Sequence, residues 1–177
     1  MAEQTHDYID WQQYIDLCER LVARVAADGW EFDSLLCLAR GGMRPGDFFS
    51  RIYGKPLAIM TTSSYREAAG TVQGDLDIAQ YITGVTELKG KVLLVDDLCD
   101  SGKTIMKVTE HLRRNFPAIT EVRVAVVWVK ACSVFKPDYC VITYEGSPWI
   151  HQPFECYDDL GADVHLKKCL EKFGPEL

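Results

Sequence analysis

The sequence predicts an α/β protein with a mostly parallel sheet that helices cover on both faces. Short apolar runs of strand length alternate along the chain with segments whose apolar residues recur at helical spacing. The clearest strand, residues 91–95, leads directly into polar residues and then into a helix. Because right-handed crossovers bring the carboxyl ends of parallel strands to one edge, we expect binding and catalytic residues in the loops that follow the strands.

The predicted elements follow one another in a regular order. The first helix covers residues 8–28, where the apolar pattern ends at Asp28 and Gly29. The continuous apolar run 34–39 is typical of a buried parallel strand. A second helix carries Pro45 in its first turn, where the missing N–H of proline costs no hydrogen bond. The remaining predictions are the end of that helix at Gly54, strands over 57–62, 91–95, 122–129 and 139–143, and a helix containing Ile105, Val108, Leu112 and Phe116.

Residues 63–80 carry two glycines and many polar groups with little periodicity, which predicts a long irregular loop. A loop of this length inside a compact domain is more often functional than idle, so we expect it to contribute to function.

Composition restricts the class of protein. The chain has 177 residues, of which 47% are hydrophobic, and this suits one globular domain over residues 1–177. A net charge of −7 without a long basic run argues against nucleic acids and anionic membranes as partners. The seven cysteines include no C-x-x-C pair, so neither a disulfide framework nor a zinc ribbon is indicated. The start resembles no secretion signal and no apolar run approaches the roughly 20 residues of a membrane span, so we expect a cytoplasmic protein.

The sharpest chemical signal is the segment 92–104, which runs from a buried strand into a helix. A glycine flanked by hydroxyl residues at a helix start offers backbone N–H groups and the positive end of the helix dipole, which suit a phosphate. A P-loop is excluded, because that motif needs glycine where this chain has Asp97. The adjacent carboxylates Asp96 and Asp97 can hold Mg²⁺ or sugar hydroxyls, while Asp100 and Ser101 have helix capping as an alternative role.

Several segments together resemble the type I phosphoribosyltransferase family, in its 6-oxopurine branch. Residues 92–104 resemble the phosphoribosyl pyrophosphate (PRPP) signature, and residues 38–46 resemble the pyrophosphate-binding loop. Lys130 and the segments 135–139 and 149–155 resemble the purine pocket of xanthine-guanine phosphoribosyltransferases. The resemblance implies a central, mostly parallel sheet of about five strands flanked by helices, with a small C-terminal hood from about residues 134–160.

The resemblance also implies a role for each candidate residue. Asp100 is the implied catalytic group, which exchanges a proton at purine N7. Mg²⁺ is the implied cofactor, held by Asp97 and PRPP oxygens, with Asp96 and Glu155 as further candidate ligands. The implied ligands of ribose and 5′-phosphate are Asp96, Asp97, Asp100, Ser101, Gly102, Lys103 and Thr104. The implied pyrophosphate-binding residues are Arg40, Gly41 and Arg66, and the implied purine-binding residues are Lys130, Trp149, Ile150 and Glu155.

The implied reaction belongs to purine salvage. It transfers the phosphoribosyl group of PRPP to N9 of hypoxanthine, guanine or xanthine, and releases a nucleoside 5′-monophosphate and pyrophosphate. The preferred base stays open, because Glu155 stands where the xanthine-guanine enzymes carry aspartate near the 2-substituent. A non-catalytic homologue that senses PRPP or a nucleotide, and a phosphoribosyltransferase for another nitrogen base, remain alternatives. The resemblance further implies a homo-oligomer, a dimer or tetramer, and often a non-proline cis peptide near Arg40 and Gly41.

Overall fold

The computed structural model describes residues 5–66, 73–78, 82–158 and 160–175, with residues 63–66 and 73–77 described for their backbone alone. The elements in chain order are β1 (His6–Tyr8), α1 (Trp11–Asp28), β2 (Ser34–Ala39), α2 (Met43–Tyr53), β3 (Leu57–Arg66), β4 (Gln73–Ile78), β5 (Gly90–Cys99), α3 (Lys103–Asn115), β6 (Ile119–Val129), β7 (Tyr139–Thr143), β8 (Trp149–His151) and α4 (Ala162–Phe173). A short 3₁₀ helix covers Glu155–Tyr157.

The main sheet has the strand order β4–β3–β2–β5–β6–β7. The five strands β3, β2, β5, β6 and β7 pair in parallel, and β4 pairs antiparallel with β3. Strands β2 and β5 are continuous apolar runs because both faces of the sheet are covered. Cys37 and Val95 point into the apolar cluster on one face, and Leu36 and Leu94 into the cluster on the other. The predicted α/β class, with about five mostly parallel strands, is confirmed.

Local sequence signals set the ends of helix α1. The Asp10 carboxylate accepts a hydrogen bond from the Gln13 backbone N–H, and the Gln13 side-chain oxygen accepts one from the Asp10 backbone N–H, both at 2.8 Å. Gly29 ends the helix with φ 71°, a left-handed conformation that glycine adopts without steric cost. The helix packs against β6, β7 and α2, so its buried face closes one side of the core.

Several regions differ from the sequence-based predictions. Helix α1 begins at Trp11 and not at residue 8, because Asp10 caps the helix and Tyr8 belongs to strand β1. The irregular loop predicted over residues 63–80 is wrong in part, because β3 continues to Arg66 and Gln73–Ile78 forms a strand. Residues 67–72 and 79–81 lie outside the described residues. The hood is narrower than residues 134–160, because Tyr139–Thr143 is a strand of the main sheet. The hood consists of β8, which pairs in parallel with β1, and the 3₁₀ helix that follows.

Helix α4 was not among the predicted elements. Its side chains are exposed or half-buried, with Val164, Leu166 and Phe173 among the exposed apolar ones. Among the helices of the described part of the chain, none combines the length and the apolar character that crossing a membrane requires.

Candidate active site

The ends of three neighbouring strands bring most candidate residues to one edge of the sheet. Strands β2, β5 and β6 are adjacent and parallel, so the loops after them leave the sheet in the same direction. The residues at this edge are Arg40 and Gly41 after β2, Asp96 and Asp97 near the end of β5, Asp100 directly after β5, and Lys130 after β6.

Asp97 is held by contacts from the hood and from the loop after β2. The Gln152 side-chain Nε2 donates a hydrogen bond of 2.8 Å to Asp97 Oδ2. The same carboxylate lies so close to Gly41 that a Cβ atom at this position would overlap with it. A Cβ atom on Gly42 would overlap with the Val95 carbonyl oxygen. Only glycine permits these approaches, so the path of the loop and the position of the Asp97 carboxylate depend on each other.

Asp96 and Asp97 form an adjacent pair of carboxylates. The Asp97 backbone N–H donates to Asp96 Oδ1 at 3.0 Å. Burial raises the pKa of Asp96 well above its usual range, and the nearby charge of Asp97 raises that pKa further. Because two carboxylates this close repel each other, the pair favours a cation or hydroxyl donors as its ligand.

Asp100 and Lys130 form an ion pair in the second part of the site. Lys130 Nζ lies 3.3 Å from Asp100 Oδ2, and Lys130 is only 8% exposed whereas Asp100 is exposed. The Cys132 thiol lies 3.5 Å from Asp100 Oδ1, within reach of a weak S–H donor. Both carboxylate oxygens of Asp100 therefore have a partner, and the two partners come from the segment that follows β6.

The segment Ser101–Thr104 begins helix α3. Gly102 takes φ 76°, and a Cβ atom there would approach Ser133 Oγ to 2.5 Å, so this turn requires glycine. The Val134 backbone N–H donates to the Ser101 carbonyl at 3.0 Å, which ties the turn to the segment after β6. Helix α3 begins at Lys103, shortly after the carboxyl end of β5. The free N–H groups of its first turn therefore point toward this edge of the sheet.

A cavity of about 900 Å³ opens beside Asp97, between helix α1, the loop after β2 and the hood. The guanidinium carbon of Arg44 lies 3.6 Å from the centre of the Phe154 ring, and Arg40 forms an exposed ion pair of 3.5 Å with Asp158. The charged lining residues are Arg40, Arg44, Asp47, Asp97, Glu155 and Asp158. The cavity therefore offers cationic groups to an anion and carboxylates to a cation.

The remaining predicted residues differ in their exposure and in whether they line the cavity. Trp149 is 52% exposed and therefore accessible to a ligand, whereas the Ile150 side chain is buried in the core. Glu155 lines the cavity beside Asp97, and its Oε2 lies 3.9 Å from His151 Nδ1. Arg66 ends β3, and its side chain lies outside the described part. The peptide bond between Ala39 and Arg40 is cis, one bond before the one considered from the sequence.

Among the residues that line or contact the site and that sequence reasoning did not assign to it are Tyr14, Cys132 and Gln152. Tyr14 occupies an apolar position of helix α1 and reads as a core residue, yet it lines the cavity. Burial raises the pKa of the Tyr14 phenol, and the nearby Cys18 and Asp97 raise it further, so its hydroxyl remains protonated. Gln152 lies inside the segment 149–155, which the resemblance had marked, so a signal for it existed.

The fit of the site to a magnesium ion depends on its carboxylates. Over the described ranges, no group of three or more His, Cys, Asp or Glu side chains is arranged to hold a metal ion. A magnesium ion that arrives with a phosphorylated ligand needs only one or two carboxylates and keeps several waters. Asp97 supplies a carboxylate, and beside it the buried Oε1 of Gln152 has no hydrogen-bond partner among the described residues. The residues present therefore fit a metal ion held mainly by its ligand.

The fold and the site together define an α/β protein whose candidate binding residues lie at the carboxyl edge of a parallel sheet. The chain belongs to the phosphoribosyl transferase domain family, whose sequence pattern matches residues 4–159. The resemblance inferred from the sequence and the enzyme class, a phosphoribosyltransferase, are thereby confirmed.

Individual relatives agree with this assignment. The xanthine-guanine phosphoribosyltransferase of Idiomarina loihiensis is 24% identical over 151 residues, which cover 85% of this chain and 87% of the relative. The crystal structure of the purine phosphoribosyltransferase from Pyrococcus horikoshii Ot3 superposes with a TM-score of 0.68 at 29% identity, over 83% of this chain and 92% of that one. A hypothetical protein from Neisseria gonorrhoeae, solved with bound ppGpp, gives a TM-score of 0.73 at 22% identity, over 98% and 99% of the two chains, which is a likeness of fold.

Proposed function

We propose that this protein is a magnesium-dependent purine phosphoribosyltransferase that converts PRPP and a 6-oxopurine into a nucleoside 5′-monophosphate and pyrophosphate. The observation that carries the proposal is the contact between Lys130 Nζ and Asp100 Oδ2 at 3.3 Å. The names of the relatives from Idiomarina and Pyrococcus support a purine as the acceptor.

The Lys130–Asp100 pair suits one edge of a 6-oxopurine. On guanine, O6 and N7 are neighbouring acceptors on a single edge. An ammonium group donates to the 6-oxo oxygen, and a carboxyl group beside it takes or returns a proton at N7. Lys130 is buried, so its charge acts in a less polar environment than water and its hydrogen bond to the base is strengthened. The half-exposed Trp149 ring supplies a stacking surface, and the backbone of Ile150 remains available for the 2-substituent.

The rest of PRPP fits the other parts of this edge. Asp96 and Asp97 bind the ribose hydroxyls, and Ser101, Gly102, Lys103 and Thr104 bind the 5′-phosphate through the start of helix α3. Arg40, Gly41 and Arg66 bind the pyrophosphate, for which the cavity beside Asp97 supplies the space. Asp97 holds magnesium together with PRPP oxygens, and Asp96 and Glu155 are further candidate ligands. When bound, magnesium supplies positive charge to the pyrophosphate group.

In the proposed reaction the purine N9 forms a bond to C1′ of PRPP while the bond from C1′ to the pyrophosphate oxygen breaks. The bonding electron pair leaves with pyrophosphate, and the proton that the base loses passes from N7 to Asp100. Positive charge develops on the ribose ring, and we assign its stabilisation to the negative charge of the Asp96–Asp97 pair. The protein's contribution is thus mainly positioning and electrostatic stabilisation.

The assignment is tested with purified protein, PRPP and magnesium, offered hypoxanthine, guanine or xanthine in separate reactions. Formation of the matching nucleoside monophosphate from at least one base is expected, and no product from any of them contradicts the proposal. Binding of PRPP by calorimetry without turnover favours a nucleotide sensor instead. Turnover of a pyrimidine base alone favours an enzyme for another nitrogen base. We further propose a single domain and a cytoplasmic location, as expected from the sequence, and a homo-oligomer, as the resemblance implies.

A further inference from the structure

The cavity beside Asp97 contains two polar atoms that lack partners. The Tyr14 side chain is 2% exposed and lines the cavity, yet its hydroxyl has no hydrogen-bond partner of good geometry among the described residues. The Cys18 thiol lies one helical turn away from Tyr14, but it offers the hydroxyl only a weak hydrogen bond, because sulfur is a poor donor and acceptor. The second atom is Gln152 Oε1, which is buried and has no hydrogen-bond partner within the described ranges. A buried polar atom without a partner is costly, so two of them in one cavity point to a ligand that satisfies them.

Gln152 is oriented by its other end. Its Nε2 donates to Asp97 Oδ2 at 2.8 Å, which fixes the amide plane and leaves Oε1, on a residue that lines the cavity, as an acceptor without a partner among the described residues. Tyr14 offers a hydroxyl that donates and accepts. One hydroxyl donor and one carbonyl acceptor beside a carboxylate match a ligand that has both anionic oxygens and bound water.

The charges around these two atoms restrict the class of ligand further. Arg40 and Arg44 line the same cavity and attract an anion, while Asp97 attracts a cation. A magnesium–pyrophosphate group has both signs of charge and a shell of water.

We propose that Tyr14 and Gln152 bind the magnesium–pyrophosphate group, with the Tyr14 hydroxyl donating to a pyrophosphate oxygen and Gln152 Oε1 accepting from a metal-bound water. The proposal rests on the proposed function, because that function places PRPP at this edge. It adds two ligand-binding residues, one of them on helix α1, outside the segments that carry the family resemblance.

The chain offers a matched pair of variants for the test. Tyr14→Phe removes an unpartnered hydroxyl from the cavity. Tyr53→Phe removes an unpartnered hydroxyl from a ring that packs against Phe32 and Phe49, outside the cavity lining. The measurements are the thermal midpoint without ligand, and calorimetric affinity for pyrophosphate in the presence of magnesium.

We expect neither substitution to lower the thermal midpoint appreciably, because the Tyr53 hydroxyl has no hydrogen-bond partner among the described residues and the Tyr14 hydroxyl has only the weakly bonding Cys18 thiol. Tyr14→Phe is expected to weaken magnesium–pyrophosphate binding about tenfold, the effect of one lost hydrogen bond to a charged group, and Tyr53→Phe to leave it unchanged. Gln152→Leu is expected to weaken it at least as much, because Asp97 also loses its donor.

The two proposals fail in different ways. If the wild-type protein binds magnesium–pyrophosphate and Tyr14→Phe binds it equally well, the role of Tyr14 is overturned and the proposed function stands. If the wild-type protein binds neither magnesium–pyrophosphate nor magnesium–PRPP, both proposals are overturned together.

Discussion

The Lys130 ammonium lies 3.3 Å from Asp100 Oδ2, although the two residues follow different strands. Strands β5 and β6 pair in parallel with Cys99 opposite Val129. Asp100, which follows β5, therefore lies beside Lys130, which follows β6. The Lys130 backbone N–H also donates to the Cys99 carbonyl at 3.1 Å, which extends the pairing by one step. The sheet register therefore sets the spacing of the pair that we assign to the purine.

Substituting Lys130→Ala is expected to lower kcat/KM for a 6-oxopurine by roughly 10- to 100-fold, the effect of losing one charge-assisted hydrogen bond in the transition state. Steady-state kinetics at saturating PRPP measure this. The matched control is Lys167→Ala, which removes an exposed lysine of helix α4 and should leave kcat/KM unchanged. Near-normal activity of Lys130→Ala would show that the base binds elsewhere.

Substituting Asp100→Asn is expected to lower kcat by about 10²- to 10⁴-fold while the KM for PRPP changes little, because the amide cannot take the N7 proton. The shape of the side chain is retained, so packing around Lys130 is preserved. Kinetics with PRPP varied at saturating base separate the two constants. Equal loss of turnover and of PRPP affinity would instead indicate that Asp100 only positions the substrate.

Substituting Gly41→Ala is expected to weaken binding of magnesium–PRPP, because the new methyl group overlaps with the Asp97 carboxylate. Relieving an overlap of this kind costs about 1–3 kcal/mol. Gly146→Ala is the control, since a Cβ atom at Gly146 meets no heavy atom within 4 Å. Calorimetry with magnesium–PRPP should separate the two variants, and equal affinities would contradict the coupling between Gly41 and Asp97.

Alkylation of Cys132 is expected to inactivate the enzyme, because its thiol lies 3.5 Å from Asp100 Oδ1. Burial raises the pKa of Cys18 and of Cys37 to about 12, so these two thiols stay protonated and unreactive at about pH 8. Activity after iodoacetamide treatment is the measurement, with labelled sites mapped by mass spectrometry. Cys132→Ser should resist inactivation, whereas Cys156→Ser, which removes another exposed thiol, should not. Equal inactivation of Cys132→Ser would assign the effect to a different thiol.

The sequence was sufficient to predict the parallel core. Strands β2, β5 and β6 are buried on both faces, and this burial requires the continuous apolar runs from which they were inferred. The strands β1, β4 and β8 escaped prediction for a related reason. Short or peripheral strands need few apolar side chains, so their sequences carry little periodicity. The predicted hood included too many residues, because the sequence of an edge strand such as Tyr139–Thr143 does not show which sheet the strand joins.

The candidate site was predictable in its residue types and less so in its contacts. Asp100 and Lys130 follow apolar strands, a position visible in the sequence, but their direct pairing depends on β5 and β6 being neighbours. Strand order is not a property of any local segment. Tyr14 shows the opposite limit. Its helical spacing correctly marks a buried ring, and only the folded chain shows that Tyr14 also lines a cavity beside Asp97.

The central claim is that the Lys130–Asp100 pair recognises the O6 and N7 edge of a 6-oxopurine. Its most direct test compares kcat/KM of the wild-type protein for hypoxanthine and for adenine, with PRPP and magnesium present. Adenine carries an amino group in place of the 6-oxo oxygen, so the Lys130 ammonium has no acceptor there. We expect hypoxanthine to be preferred by at least about 100-fold, because a site built for one hydrogen bond strongly rejects a base that cannot form it. Equal use of the two bases would contradict the assignment of Lys130 and Asp100.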